Sequence, residues 1–176
     1  MVAGAILVSI GLLVVRWLTG VSELWWTATT QSETRTAVQQ AVSRMTSELK
    51  AATRTGSPTP PAISIPAAPN NTQVTFYLPT DVDGDGTIVD ASGNTEWDAA
   101  NSIQYVYDAP SKQLRRVRGA QTVILAHDVT SATFNDVSID ASLFANELKI
   151  TLTLQTTTPQ HHTLSATSTE IVKLRN

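Results

Sequence analysis

The first 55 residues constrain this chain more than any other stretch. An uncharged apolar run of 15 residues, Met1 to Val15, ends at Arg16, and a helical pattern then continues with only its polarity changed. Val38, Val42, Met45, Leu49 and Ala52 recur at spacings of three and four among Gln39, Gln40, Ser43, Arg44, Ser47 and Lys50, which describes one narrow apolar stripe. Gly56, Ser57 and Pro58 end the pattern. A continuous helix over this range measures about 80 Å at about 1.5 Å per residue, far beyond an ordinary globular helix. Such a helix needs two environments: an apolar one for residues 1–26 and the face of a sheet for residues 27–55.

The apolar run falls short of the roughly 20 residues that cross a bilayer. A tilted span continuing through Trp17, Leu18 and Val21 with Arg16 snorkelling, or a span whose first residues precede this sequence, both satisfy the pattern. A secretory signal peptide does not, because no Lys or Arg precedes the run. Trp25 and Trp26 fall where an interfacial aromatic belt belongs.

Residues 56–70 hold five of the eight prolines and read as an extended connector, with the boundary set at 56–72. From Gln73 the period becomes two. Strands are predicted at 73–78, 103–107, 122–126 and 147–154, with 163–174 returning antiparallel to the last after a turn at "QTTTPQHH". Residues 73–176 therefore form an antiparallel β domain. Its apolar face needs a cover, and the helix stripe at Val38, Val42, Met45, Leu49 and Ala52 is the one sizeable candidate. The fold class is α+β.

Bulk chemistry excludes several functions. A net charge of −3 gives no basic field for nucleic acid, and zero cysteines exclude disulfides and cysteine-held metals. No phosphate-binding loop, dinucleotide fingerprint, H-E-x-x-H or G-x-S-x-G sequence occurs, so neither an enzyme nor a small-molecule substrate is expected. Lys112, Arg115, Arg116 and Arg118 read as a solvated hairpin face, and His161 and His162 as a polar turn.

One stretch carries metal chemistry. In "DVDGDGTIVD", Asp81, Asp83 and Asp85 alternate before Gly86, the spacing of the first half of an EF-hand loop. Carboxylates at every second position of a tight turn converge on a hard cation such as Ca²⁺, with the Thr87 carbonyl adding an oxygen. Ser92 stands where the usual bidentate Glu belongs, so Asp90 or Glu96 is the expected distal ligand.

Taken in order, the apolar helix, amphipathic continuation, proline connector and antiparallel sheet resemble a type IV pilin-like subunit. "MVAGAILVSIGLL" is similar to the interior of the prepilin N-terminal segment, which places the basic leader, cleavage site and near-terminal glutamate upstream of Met1. "AVSRMTSELKAATR", "IQYVYDAPSKQLRRV", "LAHDVTSATF" and "EIVKLRN" resemble the J-type minor pseudopilins of type II secretion and the W-type minor pilins of type IV pili. The resemblance implies a non-enzymatic subunit whose helix sits in the inner membrane and then packs into a filament core with other pilin-like subunits. Its β domain is exported, into the periplasm for a pseudopilus or outside the cell for a pilus. Val2, Ile6, Leu7, Ile10, Leu13, Val14 and Leu18 are then the membrane and filament face of the helix.

Overall fold

The computed structural model describes residues 2–52, 63–98 and 100–174, with helix side chains described from residue 10 onward. The α-helix α1 (Val2–Ala51) is 50 residues long, about 75 Å at its standard rise. Lys50 sits in its last turn, where a cation favours the helix dipole, and Ala52 N–H donates to Leu49 O (3.0 Å) to close it. Residues 53–62, and with them the end of the expected amphipathic segment and residues 56–62 of the proline connector, lie outside the described residues.

α1 divides into two halves by burial. Val38, Val42, Met45, Leu49 and Ala52 are buried, joined by Ala41 on the same face. Ile10, Leu13, Val14 and Leu18 are exposed, as are Trp17, Leu24, Trp25 and Trp26. The side chains of Val2, Ile6 and Leu7 lie outside the described residues. No helix among the described residues is long and apolar enough to cross a membrane. The structure therefore carries a protruding apolar half of a helix, and the spanning segment expected from the sequence is not supported by it.

Among the described residues, two antiparallel sheets replace the single sheet expected. The first has the order β1 (Ile63–Ser64), β2 (Gln73–Phe76), β3 (Ile103–Asp108), β4 (Gln113–Arg118) and β5 (Gln121–Ala126). The second has β6 (Val129–Asn135), β7 (Glu147–Thr157) and β8 (Thr163–Lys173). Backbone bonds stitch them together: Val129 N–H donates to Lys112 O (2.9 Å) and Phe134 N–H to Asn71 O (2.8 Å). α1 lies against β8, β7 and β5. One core results, joining Phe76, Tyr105 and Leu114 of the first sheet to Phe134, Leu148, Ile150 and Leu152 of the second beneath the helix stripe.

Alternation explains β7. Leu148, Ile150, Leu152 and Leu154 are buried, while Thr151 and Thr153 pair their hydroxyls with Thr169 (3.3 Å) and Thr167 (3.0 Å) on the other face. The hairpin runs three residues beyond the expected strand end, because Gln155, Thr156 and Thr157 still pair with Ser165, Leu164 and Thr163. Tyr77 and Leu78, expected in β2, lie beyond its end, and Ile63–Ser64 of the connector adds an edge strand beside it.

Every buried side chain described on α1 lies at Thr34 or later. A chain beginning at Thr27 is therefore expected to keep its core and to stay in solution without detergent. Thermal melting checks this: a midpoint within about 4 °C of the full chain, the shift of roughly 1–2 kcal/mol in a domain this size, supports a core independent of the protruding half. A larger fall sinks that division.

Candidate metal centre

Residues 79–98 form a loop closed by two isolated bridges, Pro79 with Trp97 and Val89 with Thr95. At its base Tyr77 and Trp97 are buried and stack with ring centroids 6.5 Å apart. This anchor brings Glu96 back beside the start of the loop. Thr80 N–H donates to Glu96 O (3.1 Å), and Val82 N–H donates to Glu96 Oε2 (2.9 Å).

The aspartates shape the turn themselves. Gly84 N–H and Gly86 N–H donate to the two oxygens of Asp81 (2.7 and 2.9 Å), and Asp85 N–H donates to Asp83 Oδ1 (3.1 Å). Gly84 and Gly86 adopt φ of 80° and 85°, a backbone that a Cβ disfavours, so glycine is required to curl the chain around the Asp81 carboxylate.

Asp81, Asp83 and Glu96 each place a carboxylate oxygen within 4.8 Å of the other two. Three like charges this close raise the energy of an ion-free loop, each pair by about 1 kcal/mol at 4 Å even in water. Oxygen donors at that separation suit a hard divalent cation. The other expected ligands are not part of this trio. Asp85 accepts from Thr87 N–H (2.7 Å) and from the Thr87 hydroxyl (2.8 Å), holding those two residues to each other. Asp90 accepts from Ser92 N–H, Asn94 N–H and the Asn94 side chain, and these bonds, those from Asn94 foremost, lower its pKa. Of the two distal candidates, the fold brings Glu96 to the aspartates and commits Asp90 to its own turn.

A second polar centre was not anticipated. Glu48 Oε2 of α1 accepts from the Tyr105 hydroxyl of β3 (2.8 Å) and from Arg116 Nε of β4 (2.8 Å). Arg116 is thus largely withdrawn from solvent, with 15% of its side chain exposed, rather than part of a solvated face. Arg115 pairs with Asp108 (2.8 Å) on the same hairpin. The one legible signal for this centre was an acidic residue adjoining the apolar stripe of the helix. His161 lies in the tight turn between β7 and β8 with φ of 65°, and Thr158 N–H donates to His162 O (2.9 Å) across it.

No family model matches the chain, and no curated protein and no solved structure matches it.

Proposed function

We propose that this chain is a non-enzymatic minor pilin or pseudopilin, a subunit that assembles through α1 into a type IV pilus or a type II secretion pseudopilus. The division of α1 supports the reading most directly: one half is spent on the domain core, while the other leaves Ile10, Leu13, Val14, Trp17 and Leu18 exposed, uncovered by any of the described residues. A soluble monomer gains nothing from holding such a surface in water, at about 25 cal/mol per Å² of apolar area. In a filament core, like helices cover it, and an interface of that kind needs less length than a bilayer does. Before assembly the same half resides in the inner membrane, with the β domain exported.

The test places a photo-cross-linking side chain at Leu13, Val14 or Leu18 of the full chain in cells. Cross-links to other pilin-like subunits, and recovery of the chain in sheared filaments, are expected. Val14→Asp should abolish recovery without lowering the melting temperature, because that residue lies outside the core. A chain that cross-links to lipid alone and never enters a filament overturns the reading.

The trio of Asp81, Asp83 and Glu96 favours a second reading, a monomeric membrane-anchored module whose adhesion or binding depends on Ca²⁺. A cation that binds only the folded state at a hundredfold excess over Kd adds about 2.7 kcal/mol. That corresponds to a rise in melting temperature of about 5–10 °C. Melting of the wild type with Ca²⁺ and with chelator, beside Asp83→Ala, is expected to show the rise in the calcium-loaded wild type alone. Equal midpoints in all samples reduce the loop to an acidic turn.

A further inference from the structure

β8 is a terminal strand of its sheet, paired with β7 along all eleven of its residues, and among the described residues no strand pairs with its other side. Sheet edges are usually blunted by brevity, a bulge, proline or charge, because unpaired N–H and C=O groups template another strand. The other edges here carry such devices. β1 has two residues, β5 pairs through an irregular register at Leu114/Arg115, and the outer side of β6 is engaged by the bonds from Val129 and Phe134. β8 has no bulge, no glycine and no proline, and its charged residues are Glu170 and Lys173 near one end.

A groove of about 390 Å³ runs between this strand and α1, lined by Arg35, Val38 and Gln39 of the helix and by residues 165–168 of β8. The strand residues there are Ser, Ala, Thr and Ser, whose small side chains leave the backbone open to approach. Arg35 is exposed and makes no ion pair or hydrogen bond among the described residues. A cation beside a free strand edge selects an incoming chain with a carboxylate at the matching position.

We infer that the free edge of β8 and the Arg35 groove form a docking site for an extended, carboxylate-bearing segment of a partner protein, which adds to the sheet as a further strand. Main-chain bonds to β8 supply affinity, and Arg35 with the small lining residues supplies selection. This site lies between β8 and the packed half of α1, apart from the exposed apolar half of that helix, and is independent of whether the exposed half enters a filament.

The probe is a displayed library of short random peptides selected on the full chain in detergent. Enriched peptides are expected to alternate β-branched residues, to carry Asp or Glu, and to slow amide exchange across Thr163–Lys173. Arg35→Glu should weaken their binding about tenfold, and replacing the peptide carboxylate by Lys should restore binding to that variant. N-methylation of alternate peptide amides should abolish it. Peptides indifferent to both Arg35→Glu and N-methylation, protection confined to the exposed half of α1, or no enrichment at all overturns the site. Association of two copies of the chain through β8, seen as a doubled mass in light scattering with the same amides protected, gives the edge to self-pairing and overturns the partner assigned here.

Discussion

Leu49→Asp is expected to leave the chain unfolded at room temperature. Leu49 is fully buried where α1 crosses the sheets, in one core with Met45, Ala52, Phe76 and Leu148. Truncation to Ala alone costs about 2–5 kcal/mol through lost transfer and the cavity left behind. A carboxylate at the same place adds the desolvation of a charged or polar group with no arranged partner, several kcal/mol more. Against a typical total of about 5–15 kcal/mol, the sum removes most or all of the stability. Urea unfolding of Leu49→Ala, Leu49→Asp and Leu13→Asp gives the graded answer: a clear loss, no folded baseline, and no change. An unchanged midpoint for Leu49→Asp would show that the helix does not present this face to the sheets.

Glu48→Ala should produce the next largest effect, because one carboxylate oxygen serves both Tyr105 and Arg116. Its removal strands a fully buried phenol and a mostly buried guanidinium, and truncating one partner of such a network costs about 2–4 kcal/mol. Glu48→Ala combined with Arg116→Met should recover part of the loss, since the cost lies in the cation left behind rather than in the pair itself. The same centre fixes an alkaline limit. Burial, and then the hydrogen bond and charge of Glu48, push the Tyr105 phenol above its ordinary value. A group whose pKa is raised by folding contributes stability that is complete below its unfolded value, about 10, and is lost as pH climbs from there toward the folded value. Stability is therefore expected to fall as pH rises above about 10, and Tyr105→Phe should flatten that fall. A wild type and a Tyr105→Phe variant with parallel alkaline profiles would remove Tyr105 as the cause.

Both experiments probe features of very different legibility. The stripe from Val38 to Ala52 was readable because helix period is local: residues three and four apart share a face whatever lies opposite. The alternation of Leu148, Ile150, Leu152 and Leu154 was readable for the same reason with period two. β6 was not, since "VTSATFN" mixes small and polar residues, and its burial is set by strands on either side of it.

Chain-local chemistry also placed Asp81 and Asp83 in one turn, as two carboxylates two residues apart around glycines must be. Which distal carboxylate joins them was a matter of loop closure. The Pro79–Trp97 bridge and the Tyr77–Trp97 stack return Glu96 to the aspartates, while Asn94 holds Asp90 elsewhere. Glu48 lay further beyond reach, with partners 57 and 68 residues away in sequence on strands whose neighbours no local pattern specifies. By itself the sequence determined the helix, its two polarities, the period of most strands and the acidic turn, because each depends on side chains within a few residues. The tertiary structure alone decided that the described strands divide into two sheets, that among them β8 pairs on one side only and that Glu48 ties α1 to β3 and β4. Those outcomes depend on which distant surfaces meet, and a long-range pairing is selected by the whole core rather than by any one segment of it.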